Sequence, residues 1–339
     1  MDPSSPVPAP ADEYGPVASE IEAGDHAEIY SAYAESTTET TESLRSSIAD
    51  YTYKHGRRYH GFHDVEYWGP NDDKQQNAED LGHEMYRTIL GGKLYLAPIP
   101  ENVQNVLDVG CGTGIWAIDF ADANPSAKVI GVDISPIQPA FVPPNCEFQV
   151  DDINEDWTFP ENQFDFVHLR HMTGCVSDWA AFHKNAFRYV KPGGWVEQVE
   201  LSGIATSDDG TLKEDSVFKR WWEVFREVGE KVGKAFDASE VAHESIEAAG
   251  YVNVKEHSYK TPIGPWAKDE NHRLWGRWNR AYLLEGLEGF ALKGLTDVLR
   301  WRYDDAQQFL AEVRKELRNP DVHSYIYLRV VYGQKPPST

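Results

Sequence analysis

The 339 residues leave room for one large domain with additions or for two ordinary ones. Hydrophobic residues make up 41% and charged ones 26%, with no run of about 18 apolar residues, which excludes a chain embedded in a membrane by helices. The balance of 32 basic against 55 acidic residues gives a formal charge of -23, so the surface repels phosphate backbones and direct nucleic-acid binding is not expected.

Residues 1–50 carry eleven acidic residues against one basic residue, Arg45, together with Pro3, Pro6, Pro8, Pro10 and a Ser/Thr/Glu-rich stretch from Ser36 to Ser47. Such a segment buries too little apolar surface to offset its chain entropy. It reads as a disordered acidic tail, either simply solvated or docking a basic partner. Met1 is followed by Asp-Pro-Ser-Ser-Pro rather than by a basic, then apolar, leader, so an intracellular, cytoplasmic protein is expected. No Lys/Arg cluster resembles an import signal, and nuclear localisation is left open. From about Ser47 the composition turns aromatic and basic: Tyr51, Tyr53, His55, Arg57, Arg58, Tyr59, His60, Phe62, Tyr67 and Trp68. This N-terminal segment, 51–100, is expected to be ordered. After the turn signal Gly69-Pro70-Asn71-Asp72, the spacing of Leu81, Met85 and Ile89 predicts a helix from about Gln75 to Leu90.

Beyond Pro98 and Pro100, short apolar strands alternate with helices, the pattern of a mostly parallel, doubly wound sheet covered on both faces. Five strands fall at Asn105–Val109, Lys128–Val132, Glu147–Val150, Phe164–Leu169 and Gly194–Leu201, with helices near Gly114–Ala123 and Asp178–Tyr189. Helices near Glu214–Val232 and Ala238–Ala248 lead to strands at Val252–Tyr259 and Tyr325–Tyr332, seven strands in all. The expected organisation is a tail (1–50), an N-terminal segment (51–100), a Rossmann-like core (101–260), a helical insertion (261–320) and a final strand with its tail (321–339). Within the insertion, Leu274, Trp278, Ala281, Leu284 and Leu287 recur at helical spacing. That stripe, with Trp266 nearby, reads either as core packing or as a lid walling a substrate pocket. The three cysteines, Cys111, Cys146 and Cys175, form no CxxC pair and have no His at metal-ligand spacing, so neither a disulfide scaffold nor a metal site is indicated.

The strongest motif is Val106-Leu107-Asp108-Val109-Gly110-Cys111-Gly112-Thr113-Gly114, an apolar strand running into glycines and then a helix. A sharp turn and a backbone that a ligand can approach closely both need glycine, and the free N–H groups of the helix start favour a carboxylate. Ile115 stands where the dinucleotide fingerprint would have its third Gly, which lowers the case for a nicotinamide enzyme. Glycines at alternate positions behind Asp108 fit instead the S-adenosylmethionine loop of class I methyltransferases. Asp133 ends the second strand, where a carboxylate can accept ribose hydroxyls, with Ile134 beside it. Asp152 and Ile153 follow the third strand, where an acidic side chain and an apolar neighbour suit an adenine. Val190-Lys191-Pro192-Gly193-Gly194 follows the fourth at the spacing usual for such folds.

Asp108 to Trp116, Gly131 to Pro139, Asp152 with Trp157, and Lys191 to Glu197 resemble the fungal LaeA-like (UMTA-type) methyltransferases. The resemblance extends to Gly56–Gly61 and Pro70-Asn71-Asp72 upstream, and to Ile263–Trp266, Leu284–Leu287 and Glu312–Leu317 downstream. The run Lys74 to Glu79 departs from the family's acidic-then-Arg pattern, and no site residue is assigned to that helix. The resemblance implies a Rossmann-like class I domain that binds S-adenosylmethionine and a link to fungal secondary metabolism. The implied activity is methyl transfer by in-line displacement to a small-molecule or protein acceptor. The implied alternatives are a regulatory or assembly subunit, partnered by a velvet-domain protein or a second methyltransferase, and a methyltransferase-like fold recruited for another reaction.

Methyl transfer needs an aligned nucleophile, excluded water and a base. His168, Arg170 and His171 sit at the exit of the fourth strand and are the catalytic candidates, His171 first, with Arg170 holding the cofactor or a substrate carboxylate. The cofactor-binding candidates are Asp108, Gly110, Cys111, Gly112, Thr113, Gly114, Asp133, Ile134, Asp152 and Ile153. Tyr59, Tyr67 and Trp68, with Trp266 and Trp278 of the insertion, are expected at the lid, where aromatic faces attract a sulfonium.

Overall fold

In the computed structural model, which describes residues 51–61 and 67–338, the chain opens with a short antiparallel hairpin, β1 (Thr52–Lys54) and β2 (Arg57–Tyr59). The acidic-tail reading of 1–50, and Phe62, fall outside the described residues. Arg57 is buried and forms a bidentate ion pair with Asp72, through Nε at 2.6 Å and Nη2 at 2.9 Å. Asp72 also caps α1 (Asp73–Ile89) by accepting from the Gln75 N–H, so one carboxylate both starts the helix and pins the hairpin to it. Asn71 donates from Nδ2 to the Ser135 hydroxyl at 3.2 Å, tying this segment to the sheet.

Seven strands follow: β3 (Asn105–Val109), β4 (Lys128–Asp133), β5 (Cys146–Val150), β6 (Phe164–Arg170), β7 (Val190–Leu201), β8 (Val252–Pro262) and β9 (Tyr325–Gln334). They form one sheet in the order β5-β4-β3-β6-β7-β9-β8, parallel except for β9, which runs antiparallel to both its neighbours. This is the class I methyltransferase arrangement. Strand order reverses between β3 and β6, and a crevice opens at their carboxyl ends.

Helices cover both faces. On one, α3 (Trp179–Tyr189) and α5 (Ala238–Ala248) lie on Leu107, Ile130, Val167 and Val196. On the other, α2 (Ile115–Ala123) buries Trp116 and Phe120 against Val106, Val129 and Phe166. The helix expected from Glu214 begins at Val217 as α4 (Val217–Val232), because the Ser216 hydroxyl accepts from the Phe218 N–H and fixes the start there. The insertion between β8 and β9 holds α6 (Glu270–Lys293), a single-turn π-helix (Gly294–Val298) and α7 (Tyr303–Leu317). The stripe of Leu274 to Leu287 lies on α6, whereas α7 was not foreseen. α1 packs along α6, and close approach there needs Gly82: a Cβ on it would sit 3.1 Å from the Tyr282 ring.

Candidate active site

β3 ends at Val109, and Gly110, Gly112 and Gly114 then take φ of 66°, 54° and 79°, a left-handed turn that delivers the chain into α2 with no side chain capping the helix start. β4 lies beside β3 and ends at Asp133. Its Oδ2 accepts from the Gly112 N–H and its Oδ1 from the Ser135 N–H, both at 2.9 Å. That carboxylate thus shapes the turn while also facing the cleft. Asp152, after β5, accepts from the N–H of Asn154, and Ile153 is buried beside it.

These residues line a cavity of about 1150 Å³ at the carboxyl ends of the strands. Asp108, Gly110, Cys111, Gly112, Thr113, Asp133, Ile134, Asp152, Ile153, Arg170, His171 and Tyr67 all contribute to its wall. Gly114 does not: it sits where a Cβ would strike the Phe148 ring at 2.3 Å, and its part is to turn the chain.

Five further expectations are corrected. His168 does not reach the cavity. β3 and β6 pair with Asp108 opposite His168, so the two side chains share a sheet face, and His168 Nδ1 lies 3.0 Å from Asp108 Oδ1. Burial lowers the pKa of His168, which stays neutral and donates this hydrogen bond, its ring stacked 3.7 Å from that of Trp116. Tyr59 is buried in the hairpin with the Lys293 ammonium over its ring. Trp266 stacks on His323 and donates to the Ser324 carbonyl, and Trp278 packs against the cluster of Met85 and Tyr86 without lining the cavity. Trp68 lines a second cavity instead of this one.

The helix set aside at the sequence level supplies what was missed. Glu79, Gly82 and Tyr86 of α1 line the cavity, and Asp80 accepts from the Thr113 hydroxyl at 2.9 Å. Positions 79, 82 and 86 recur at i, i+3 and i+7, so the face itself was readable. Tyr282 of α6 is the other addition; within the aromatic stripe nothing distinguished it.

Electrostatics concentrate here. Burial, with the Asp133 carboxylate adding to it, pushes Glu79 up to about 8. Burial likewise raises Asp133 to about 6, against the backbone N–H groups of Ser135, Gly112 and Ile134, which favour its ionised form. A cation entering the cleft would favour the ionised form of both. His171, just past β6, has φ of 59°, a left-handed conformation that turns its ring away from the strand's alternation. Two bonds hold it there: its own N–H donates to the Val199 carbonyl at 3.0 Å, and the next N–H, of Met172, donates to Glu200 at 2.9 Å. Burial, aided by the Arg170 cation, pulls His171 down to about 4, so it is neutral at physiological pH. The Tyr282 hydroxyl caps its ring, 3.0 Å from Nε2 and 3.3 Å from Nδ1. Arg170 lies over the Tyr86 ring and donates to His83, whose other nitrogen meets Asp119 at 3.0 Å.

A cleft of carboxylates and glycine turn at this sheet position defines an S-adenosylmethionine-dependent methyltransferase of class I. Residues 81–256 match the family described as "Methyltransferase domain". The chain is 37% identical over 301 residues to methyltransferase pytC of Aspergillus terreus, which covers 88% of this chain and 93% of the relative. It is 33% identical over 289 residues to the secondary metabolism regulator LAE1 of Cochliobolus heterostrophus, covering 84% and 94%. It is also 33% identical over 286 residues to the protein-methionine methyltransferase laeA of Emericella nidulans, covering 84% and 76%. The chain belongs to this methyltransferase family, in its LaeA-like branch.

The residues present fit the cofactor. Asp108 Oδ2 is buried with no hydrogen-bond partner among the described residues, a placement that a ligand ammonium or hydroxyl would relieve. At Gly112, where φ is positive, a Cβ would lie 2.7 Å from the Glu79 carboxylate, so the glycine brings the backbone close to that acid across the cleft. Among the described residues no helix is long and apolar enough to cross a membrane.

Proposed function

We propose that this protein methylates a small-molecule acceptor of fungal secondary metabolism, with the cofactor held in the cleft just described. Asp133 receives the ribose hydroxyls, Asp152 and Ile153 flank the adenine, and Asp108 with the glycine turn receives the amino-acid end. Glu79 faces the same end from α1. When bound, S-adenosylmethionine supplies an electrophilic methyl on a sulfonium, which departs as the neutral thioether S-adenosylhomocysteine. His171 accepts a hydrogen bond from the acceptor's O–H or N–H and takes its proton as the new bond to the methyl forms. Its low basicity makes it a short-lived proton holder, and Tyr282 orients its ring. Tyr67, Tyr86 and Tyr282 present aromatic faces that suit a sulfonium and keep water from it.

The observation that carries this reading is the convergence of Asp108, Asp133 and Glu79 on one cavity, with the Asp108 Oδ2 unpartnered. Calorimetric titration with S-adenosylhomocysteine tests it. Saturable 1:1 binding that weakens sharply in Asp133→Ala is expected; a folded wild-type chain that takes up neither cofactor nor product overturns it.

A further inference from the structure

Behind His171 and Tyr282 lies a second cavity, of about 870 Å³, and those two side chains are the ones it shares with the cofactor cleft. Its walls come from α4, α6, α7 and the end of β7, with Trp68 closing one side. Phe218, Trp221, Phe225, Leu287 and Phe290 are typical of the lining, which contains no Asp, Glu, Lys or Arg. Three of its polar groups are already engaged, and the indole N–H groups of Trp221 and Trp222 are the donors left over. The Ser202 hydroxyl donates to Glu240, the Thr173 hydroxyl to Glu200, and the Trp68 indole N–H to the Thr173 carbonyl. His171 is neutral and lies at the junction.

From this arrangement, and resting on the methyltransferase reading of the neighbouring cleft, we infer that the chamber is the acceptor site. It takes an uncharged, flat and largely apolar small molecule that presents a hydroxyl or amine to His171. An ionised acceptor would lose its hydration among rings and aliphatic groups with no countercharge in the wall. A peptide would bring a series of amide groups, against which the wall offers little beyond the indole N–H groups of Trp221 and Trp222. A single nucleophilic group, by contrast, meets a hydrogen-bond acceptor in His171, at the end of the chamber that borders the cofactor cleft. The apolar body then fixes its orientation by shape.

The test uses the full chain with S-adenosylhomocysteine bound and the neutral fluorophore N-phenyl-1-naphthylamine as probe. Saturable fluorescence enhancement is expected, reversed by 2-naphthol and at least about tenfold less well by the anionic 6-hydroxy-2-naphthoate. Phe225→Glu, a half-buried position, is expected to weaken probe binding about tenfold or more while the affinity for S-adenosylhomocysteine stays within about twofold. The competitor pair needs no substitution, so the test survives if the variant misfolds. Equal displacement by both naphthols, or no probe binding by a chain that still binds S-adenosylhomocysteine, overturns the acceptor site alone. Failure to bind S-adenosylhomocysteine brings down the cofactor reading and this one with it. Transfer of methyl to a polypeptide in preference to 2-naphthol, seen by intact mass, also overturns it.

Discussion

The cofactor cleft and the apolar chamber touch at His171 and Tyr282 yet are made of opposite materials. The cleft is built at strand ends, and its carboxylates are positioned by backbone N–H groups: Gly112 and Ser135 hold Asp133 at 2.9 Å. The chamber is built from helices and its lining has no formal charge. Charge recognition depends on a few atoms placed to within tenths of an ångström, which a hydrogen-bonded parallel sheet provides. Apolar recognition depends on shape over a broad area, which packed helices provide. One sheet can therefore keep a fixed cofactor chemistry while the α4, α6 and α7 layer sets the acceptor.

Substitutions that break the cleft should be the most damaging. Gly112→Arg puts a side chain where the Glu79 carboxylate lies 2.7 Å from a Cβ and where φ is positive. Calorimetry should show a loss in S-adenosylhomocysteine affinity of more than about a hundredfold, with the fold intact by circular dichroism. His171→Ala acts at the junction: single-turnover methyl transfer should slow by about a hundredfold, as for a lost base, while cofactor affinity is nearly unchanged. Asp133→Ala removes charge-assisted bonds and should weaken cofactor binding by about ten- to a hundredfold.

The smallest effect is the most diagnostic of charge. Glu79 is raised from 4.5 to about 8, so its contribution to the stability of the unliganded fold is complete below its unfolded value and is lost as pH rises through about 8. A bound cation reverses the preference, so cofactor affinity should climb several-fold between about pH 6 and 8, with proton release measurable by calorimetry in buffers of different ionisation heat. Glu79→Gln should flatten that profile. An equal climb in the variant would remove Glu79 from the site.

Much of the cleft was legible because its chemistry sits at chain positions that strand periodicity already marks. Asp108, Asp133 and Asp152 each end or follow an apolar run, and parallel strands deliver such residues to one edge of the sheet. The register was the harder part. His168 and Asp108 face each other across β3 and β6, so a histidine that looks catalytic in sequence becomes the partner that orients a carboxylate. His171 escapes the alternation through a left-handed residue, which no periodicity announces. Glu79 and Tyr282 depend on α1 and α6 meeting at Gly82, a contact between segments nearly two hundred residues apart. Trp266 and Trp278 show the limit of compositional reasoning: an aromatic stripe states that a helix will be buried, not which of its rings will face a ligand.

The tie between Asn71 and Ser135 has a consequence for where this enzyme begins. The matched family region starts at residue 81, yet the Arg57–Asp72 clamp, the Asn71 bond and the Glu79 wall all precede it. A fragment trimmed to the recognised boundary would retain all seven strands of the sheet only if extended past residue 256 to β9, and even then would present a cleft with one side missing. The smallest working unit is thus expected to be larger than the matched family region, since the leading segment supplies part of the cleft wall.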